Sequence, residues 1–460
     1  MPRIISAFTA LILVCSSARA AEPGETSVRF VVQPMAAPKP VLKYVLLPEI
    51  NELNPGNAAQ WYLRCFAEQR NFFFGKESTD ERKRLLTMPL SELPILKNSG
   101  YGGNALRQAD WAARLNTIDW QVIQRIHTDG LDLSQPELGP LHILATAIQV
   151  RFRIEIAERR FDDAIRTAKT MFAFANHLGE NPTEQADKLG LAVAELAVDT
   201  LEEMIQQSGC PNLYWALTEL RCPLVDLRKG FQGTGLLVAT ELKQIRDDTS
   251  MTNEELEKVI ARLSGLLGFA REQAGHAPRS FRAALSARSK DTEKLPATRK
   301  RLLEAGVAEG VLPSFSPLQV LLVDAKRDYE LRRDERVKLL ALASWQIDAL
   351  SDAERGAAGE GLLSDFLPEV IKIRQSQARF EQRIALLRHV EALRIFAAAH
   401  EGKWPEKLSD IPLPLPVDPI TGKAFRYEIE AGTAHLRGGS PKGEEKNPAF
   451  NIRVSITQRK

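Results

Sequence analysis

With 460 residues, 44% of them hydrophobic and 26% charged, the chain has globular composition and enough apolar material for a sizeable core, which excludes the disordered and fibrous classes. Its 61 Lys+Arg nearly cancel its 59 Asp+Glu, and a formal charge of +2 supplies no field to draw in nucleic acid or an anionic membrane. No nucleic-acid partner is therefore expected, and length alone suggests roughly two to four domains.

The first element in the chain is a predicted export signal. Residues 1–20 begin with Arg3, continue through an apolar stretch from Ile4 to Val14 broken by Ser6 and Thr9, and end at Ala18-Arg19-Ala20 before Ala21. A basic start, an apolar middle and small residues before the cut form the pattern of a secretory signal, with cleavage expected after Ala20. Cys15 raises lipidation as the alternative, but Val14 stands where a lipobox needs a small residue. No later run reaches the roughly 18 apolar residues of a membrane span, so no transmembrane segment is expected once the signal is cleaved. The expected product is periplasmic or extracellular.

Residues 21–45 carry Pro23, Pro34, Pro38 and Pro40 and read as an extended entry segment. A helical domain is predicted over 46–225. Within it Leu144, Ile148, Phe152 and Ile156, and then Phe161, Ile165 and Phe172, recur at spacings of three, four or seven. Each segment then has one apolar stripe, and two stripes joined at Arg159-Arg160 predict a helical hairpin. "RRFDDAIRTA" resembles a tetratricopeptide-repeat junction, with Ala164 as the small residue that admits close helix approach, although no second clean copy follows. Thr183 is positioned to cap the next helix.

"PNLYWALTELR" between Cys210 and Cys222 reads as one helix, which would hold those cysteines roughly 15 Å apart and prevent a disulfide. Cys65, Cys210 and Cys222 are expected to be buried structural thiols. A second helical region is predicted over 226–363, opening one helix with a capping box at Thr252 and Glu255 and ending in a helix over 316–349. Its basic stretch, with Arg282, Arg288, Lys290, Lys294, Arg299 and Lys300, reads as a solvated face or connector.

The last predicted unit, 364–460, is a long helix followed by a small antiparallel β module. The helix runs to about residue 401 with Phe380, Ile384, Leu387, Val390, Leu393 and Ala397 inward, and stops at Gly402 before Pro405. Asp418 to Gly422 reads as a type I turn with Gly422 at positive φ. Phe425, Tyr427 and Ile429 then alternate as a strand, Ala434 to Leu436 return, and "NIRVSITQ" adds a third strand. The predicted fold class is mainly α: an antiparallel, TPR-like helical-hairpin stack with a small C-terminal α+β module.

Catalytic and cofactor patterns contribute little. HExxH, GxSxG, P-loop and EF-hand patterns do not occur, and Gly233-Thr234-Gly235 lacks the rest of a dinucleotide fingerprint, so no cofactor or metal is expected. The paired acids Asp162-Asp163, Glu202-Glu203, Asp247-Asp248 and Glu254-Glu255 point about 100° apart on a helix and cannot serve one proton or ion together. His389 and His400 are three turns apart, about 16 Å, too far to share a metal. Asp418 is better explained by turn formation than by cation binding. The candidate ligand or partner surface is Trp111, Trp120 and Trp215 with Tyr101 and Asn104 of the flexible "SGYGGN" loop, residues 99–104.

The stretches "LPEINELNPGNAAQWYLR", "RFDDAIRTAKTMFAFANHLGENPT", "PNLYWALTELRCPLVDLRKG", "RHVEALRIFAAAHEGKWPEKLSDI" and "PVDPITGKAFRYEIEAGTAHLRG" together resemble a family of exported, uncharacterised proteins typical of planctomycete-type bacteria. That resemblance covers most of the chain after the signal and implies secretion and a helical body, without implying an activity. The C-terminal helix, "GKWP" and "DPITG" also resemble the globular end of type II secretion pseudopilins, from which the chain departs because this module sits at its C-terminus and no long membrane-inserting N-terminal helix is expected after the signal, so a pilus subunit is not expected. The expected function is a non-enzymatic scaffold of the cell envelope that binds a protein or peptide. The alternative is an enzyme or small-ligand binder with a cleft between helix layers.

Overall fold

Spacings of three and four between apolar residues build a helical hairpin at the centre of the chain, and the remaining elements are arranged around it. The computed structural model describes residues 26–93, 100–273, 277, 280–291, 293–351, 355 and 361–459. The expected signal and its cleavage site, Cys15 and Ser99 lie outside the described residues. The structure is mainly α, with a small C-terminal α+β region.

Helices α1 (Ala58–Glu68), α2 (Arg70–Phe74), α3 (Lys76–Thr87), α4 (Gly103–Ala112) and α5 (Ile123–Asp129) precede the hairpin α6 (Leu138–Ala157) and α7 (Phe161–Leu178). Helix α8 (Glu184–Ile205), capped by Thr183 through its hydroxyl to the Ala186 amide, packs on both hairpin helices. The single stripe expected for α6 is not what forms. From Ala147 to Ile156 every residue is buried, because α7, α8, α1, α2 and α3 surround the helix. Its charged residues are accommodated by partners: Arg153 donates to the carbonyls of Leu86 and Met88 at 2.8 and 2.7 Å, closing the C-terminal end of α3.

Only Tyr214–Glu219 of the expected 211–221 helix is helical (α9), yet Cys65, Cys210 and Cys222 are all unpaired. Cys65 and Cys210 are buried as expected, whereas Cys222 is exposed, because Pro223 and the residues after it lead away in irregular backbone. Next come α10 (Leu227–Leu242), α11 (Asn253–Gln273), α12 (Phe281–Ser289), α13 (Lys294–Glu304), α14 (Pro317–Val337), α15 (Ser344–Ala349) and α16 (Val370–Ala399). The 316–349 prediction is thus divided: a 3-10 turn at Lys338–Ala341 and extended backbone at Leu342 and Ala343 separate α14 from α15. A second core lies within this region, built from residues such as Leu242, Leu263, Phe281, Leu302, Phe315 and Leu322.

The entry segment is the largest departure from expectation. It contains β1 (Thr26–Val32), which joins the C-terminal strands β4 (Arg426–Glu430), β5 (Thr433–Arg437) and β6 (Ile452–Gln458) in the order β1-β6-β5-β4. The β4-β5 and β5-β6 pairs are antiparallel, while β1 lies parallel to β6 with Thr26 opposite Ile452. Phe30, Val32, Ala434, Leu436, Val454 and Ile456 bury one face of this sheet against the main core. Two short parallel strands, β2 (Asn54–Asn57) and β3 (Leu115–Thr117), flank α1 and α4.

Helix α16 ties these parts together. Its Glu391–Arg394 pair is fully buried at 2.8 Å, with Arg394 donating to the carbonyls of Gln33 and Cys210 and Glu391 accepting the Leu213 amide. Each charge is hydrogen-bonded as well as paired, which a buried ion pair requires. Asp418 starts a turn one residue wider than the type I turn expected: its carbonyl accepts the amide of Gly422, four residues on, at 2.8 Å, and Gly422 has the expected positive φ, 66°. The Asp418 carboxylate accepts from the amides of Ile420 and Gly439, from Thr421, and from Gln382 of α16, so it also fastens the turn to the helix. Trp345 of α15 lies over the same turn, its ring 3.0 Å from where a Cβ on Gly422 would stand.

Candidate functional site

The five residues expected to form one surface occupy separate environments. Trp120 is core: it is 9% exposed, stacks on Tyr62 at 6.4 Å and donates to the His177 carbonyl at 2.8 Å. Trp215 packs edge-on to Tyr214 in α9, beside α16. Tyr101 leans on Phe72 at 5.2 Å, and burial raises its phenol pKa. Asn104 is exposed in the first turn of α4. Trp111 alone is both large and open, at 43% exposure, meeting Trp61 edge-on at 6.2 Å. Grouping by residue type therefore did not assemble a site, because helical periodicity sent each ring to a different neighbour.

A dense polar seam does lie beside Trp111. Asp110 accepts both terminal nitrogens of Arg151 at 2.8 and 2.7 Å and the Thr170 hydroxyl at 2.8 Å. Glu52 pairs with Lys169 at 2.6 Å and approaches Arg114 at 3.9 Å, while Glu155 accepts from Thr167 at 2.7 Å. Burial pushes Glu155 up to about 7, against the opposing pull of Arg151. This is the kind of convergence an enzyme reading calls for, but each acid already has a partner, and the seam fastens residues 52–54 and α4 onto α6 and α7.

The other sequence candidates resolve into structural roles. Asp162 accepts from Tyr44 whereas Asp163 pairs with Arg160 and Arg166; Glu202 meets Arg383 whereas Glu203 meets Arg153. His389 is buried and held down to about 4 by desolvation, with Nδ1 2.8 Å from the Ala385 carbonyl; His400 is exposed. In the basic stretch Arg282 pairs with Glu257 and Arg299 donates to the carbonyls of Leu312 and Phe315. A cavity of about 10 Å³ between Leu267, Phe281 and Leu362 is of the order of one water molecule. Among the described residues no group of three or more His, Cys, Asp or Glu is placed to hold a metal ion, and no helix is long and apolar enough to cross a membrane.

One constellation was not visible in the sequence. The outward face of the C-terminal sheet sets Arg426, Arg437 and Arg453 in a single row across β4, β5 and β6, and Glu428, His435, Ser455 and Arg29 in the next row. His435 Nδ1 is 3.0 Å from Ser455 Oγ, and its Nε2 is 3.7 Å from Glu430. Serine, imidazole and carboxylate in that order suggest nucleophilic catalysis. Arg453 decides otherwise, because its Nε–H points at the same Nδ1 at 3.3 Å. Burial, then the charges of Arg453 and Arg437, lower the His435 pKa, so the ring is a neutral acceptor with its lone pair engaged rather than a base for Ser455. Acids are interleaved with the arginines on this face, where Glu430 pairs with Arg453 at 3.4 Å and Glu428 stands opposite His435. The alternation of His435 and Ser455 along their strands signals an outward polar face, but the rows exist only once the strand register is known.

Comparison with protein-family models, with curated proteins and with solved structures gave no match.

Proposed function

We propose that this is an exported, non-enzymatic scaffold of the cell envelope that binds another protein or a peptide. The observation that supports it is the corner where β2, α1 and α4 meet. Trp111 stands 43% exposed against Trp61, and the Arg64 guanidinium lies 5.0 Å over the Trp61 ring. Glu52 and Asn54 are held by Arg114, three residues beyond Trp111, which brings Ile50, 89% exposed, and Leu53 to the same corner. Tryptophan and arginine beside open aliphatic side chains form the composition of interface anchors, and an exposed apolar patch of this kind has no role in a monomer's own core.

The test is in-cell photocrosslinking of a tagged chain carrying the crosslinker at position 111, or at exposed position 303 as control, followed by mass spectrometry of the envelope fraction. A stoichiometric partner joined at 111 and absent at 303 is the expected result. A clean preparation with no partner at either position would shift the weight to the cleft reading, to be pursued by a small-molecule and metal thermal-shift screen.

A further inference from the structure

We infer that Glu155 regulates the Trp111 corner: the charge state of its carboxyl decides whether Arg151 is shared between α6 and α4 or given wholly to Asp110, and so how firmly Trp111 is presented. The inference rests on the corner as the partner surface and adds its regulation.

The first argument is the unfinished bonding of Arg151. Its two terminal nitrogens donate to the two oxygens of Asp110 at 2.8 and 2.7 Å, a bidentate pair. Its Nε–H is buried without an acceptor, while Glu155 Oε1, one turn further along α6, stops 3.9 Å away. That gap is too long for a hydrogen bond and too short to seat a water between the two groups. An ionised Glu155 closes it, because a buried guanidinium with a free donor gains a charge-assisted bond. A neutral Glu155 exerts no such pull. The guanidinium is one rigid plane, so movement of Nε towards Glu155 also turns the two nitrogens at Asp110.

The second argument is the route from Asp110 to the corner. Asp110 immediately precedes Trp111 near the end of α4, and its carboxylate also accepts the Thr170 hydroxyl of α7. Trp111 rests edge-on against Trp61 at 6.2 Å and is otherwise open, so a small turn of this end of α4 alters how it is displayed.

The charges that face Glu155 place the change near neutral pH. Burial raises its pKa to about 7, opposed by Arg151, by the Thr167 hydroxyl at 2.7 Å and by Arg160, and assisted by Asp163. Arg160 is itself engaged by Glu158 and Asp163. Arg153, two residues along and so on the far side of α6, carries the contacts to α3 and α8 instead. Below the midpoint Glu155 is neutral, Arg151 belongs to Asp110, and Trp111 is held for its partner. Above it Arg151 is drawn towards Glu155 and the hold on α4 weakens.

The experiment is a fluorescence titration of the full chain from about pH 5 to about pH 9, with the Trp111→Phe protein subtracted so that Trp111 alone is read. One midpoint is expected, near the value of Glu155, about 7. The transition should vanish in Glu155→Gln, which stays neutral, and move to higher pH in Thr167→Val, which loses the hydroxyl that steadies the ionised form. A flat Trp111 signal in the parent overturns the inference, as does an unchanged midpoint in either variant; Thr167→Val decides it if Glu155→Gln does not fold. Partner capture is measured alongside, in envelope fractions at about pH 6 and about pH 8, with the photocrosslinker at exposed position 50 so that Trp111 stays in place. About fivefold more capture at the lower pH is expected. Equal capture at both overturns the regulation. A partner captured while Trp111 stays flat sinks this inference and leaves the scaffold reading intact. A titrating Trp111 with no partner at either pH supports the coupling of Glu155 to Trp111 and removes the corner as a partner surface.

Discussion

Asp187 sits in the first turns of α8 with no exposure and no hydrogen-bond donor for either carboxylate oxygen, its side chain pressed on Gly230 of α10. Burial, then the nearby charges of Glu184 and Asp226, pushes its pKa up to about 9, so the folded protein holds a proton that the unfolded chain releases at about pH 4. A carboxyl raised by folding favours the folded state most below the unfolded pKa. That advantage is lost as pH climbs from about 4 towards about 9. Asp187→Asn, which cannot ionise, is expected to unfold at a higher temperature than the parent at alkaline pH and to show a flatter decline between those limits. Parallel melting curves for the two proteins across that range would show that Asp187 is ionised in the fold. Single residues were legible where their role is local: Thr183 as a cap, and Asp418 and Gly422 as a turn, because such geometry is specified within a few positions. Trp111, Trp120 and Trp215 were not, since exposure depends on neighbours distant in sequence.

At the scale of elements, glycine has two opposite meanings in this protein. Gly230 and Gly233 lie on the face of α10 that meets residues 182–187, and a Cβ on either would overlap its neighbour, Asp187 in one case and the Pro182 carbonyl in the other. Gly265 in α11 is exposed, with nothing near its missing Cβ. Gly233→Ala must push α10 away from the start of α8 and is expected to destabilise by about 1–3 kcal/mol or more. Gly265→Ala should stabilise by up to about 1 kcal/mol through helix propensity. Urea unfolding of the two variants checks both signs; equal small effects would mean that α10 is not held closely against α8. The hairpin α6–α7 was legible from spacing alone. The complete burial of α6 was not, because Arg151, Arg153 and Glu155 look like a solvent face until the partners supplied by other helices are known.

For the whole molecule, the parallel pairing of β1 with β6 is the least local feature. Thr26 donates to the Pro448 carbonyl, 422 residues away, and Arg459 to the Val32 carbonyl at the other end of the pair. Nothing in the alternation of β1 names its partner, which is why proline-rich composition suggested only an extended segment. Deleting residues 26–32 leaves an inner strand as an edge and uncovers Val454 and Ile456. Faster amide exchange throughout β6, with that of α6 nearly unchanged, is the expected outcome. Equal acceleration in both would mean that sheet and helices unfold as one unit.

The same pairing imposes an order on synthesis. At roughly 5–20 residues per second, on the order of tens of seconds separate β1 from β6 as the chain emerges. Helix pairs such as α6 and α7 need only local contacts and can associate in that interval. Strand β1 must wait, its edge unanswered, with Ser27 and Arg29 on one side to keep it hydrated. The sheet is therefore the clasp of the molecule, fastened only when the last strand arrives.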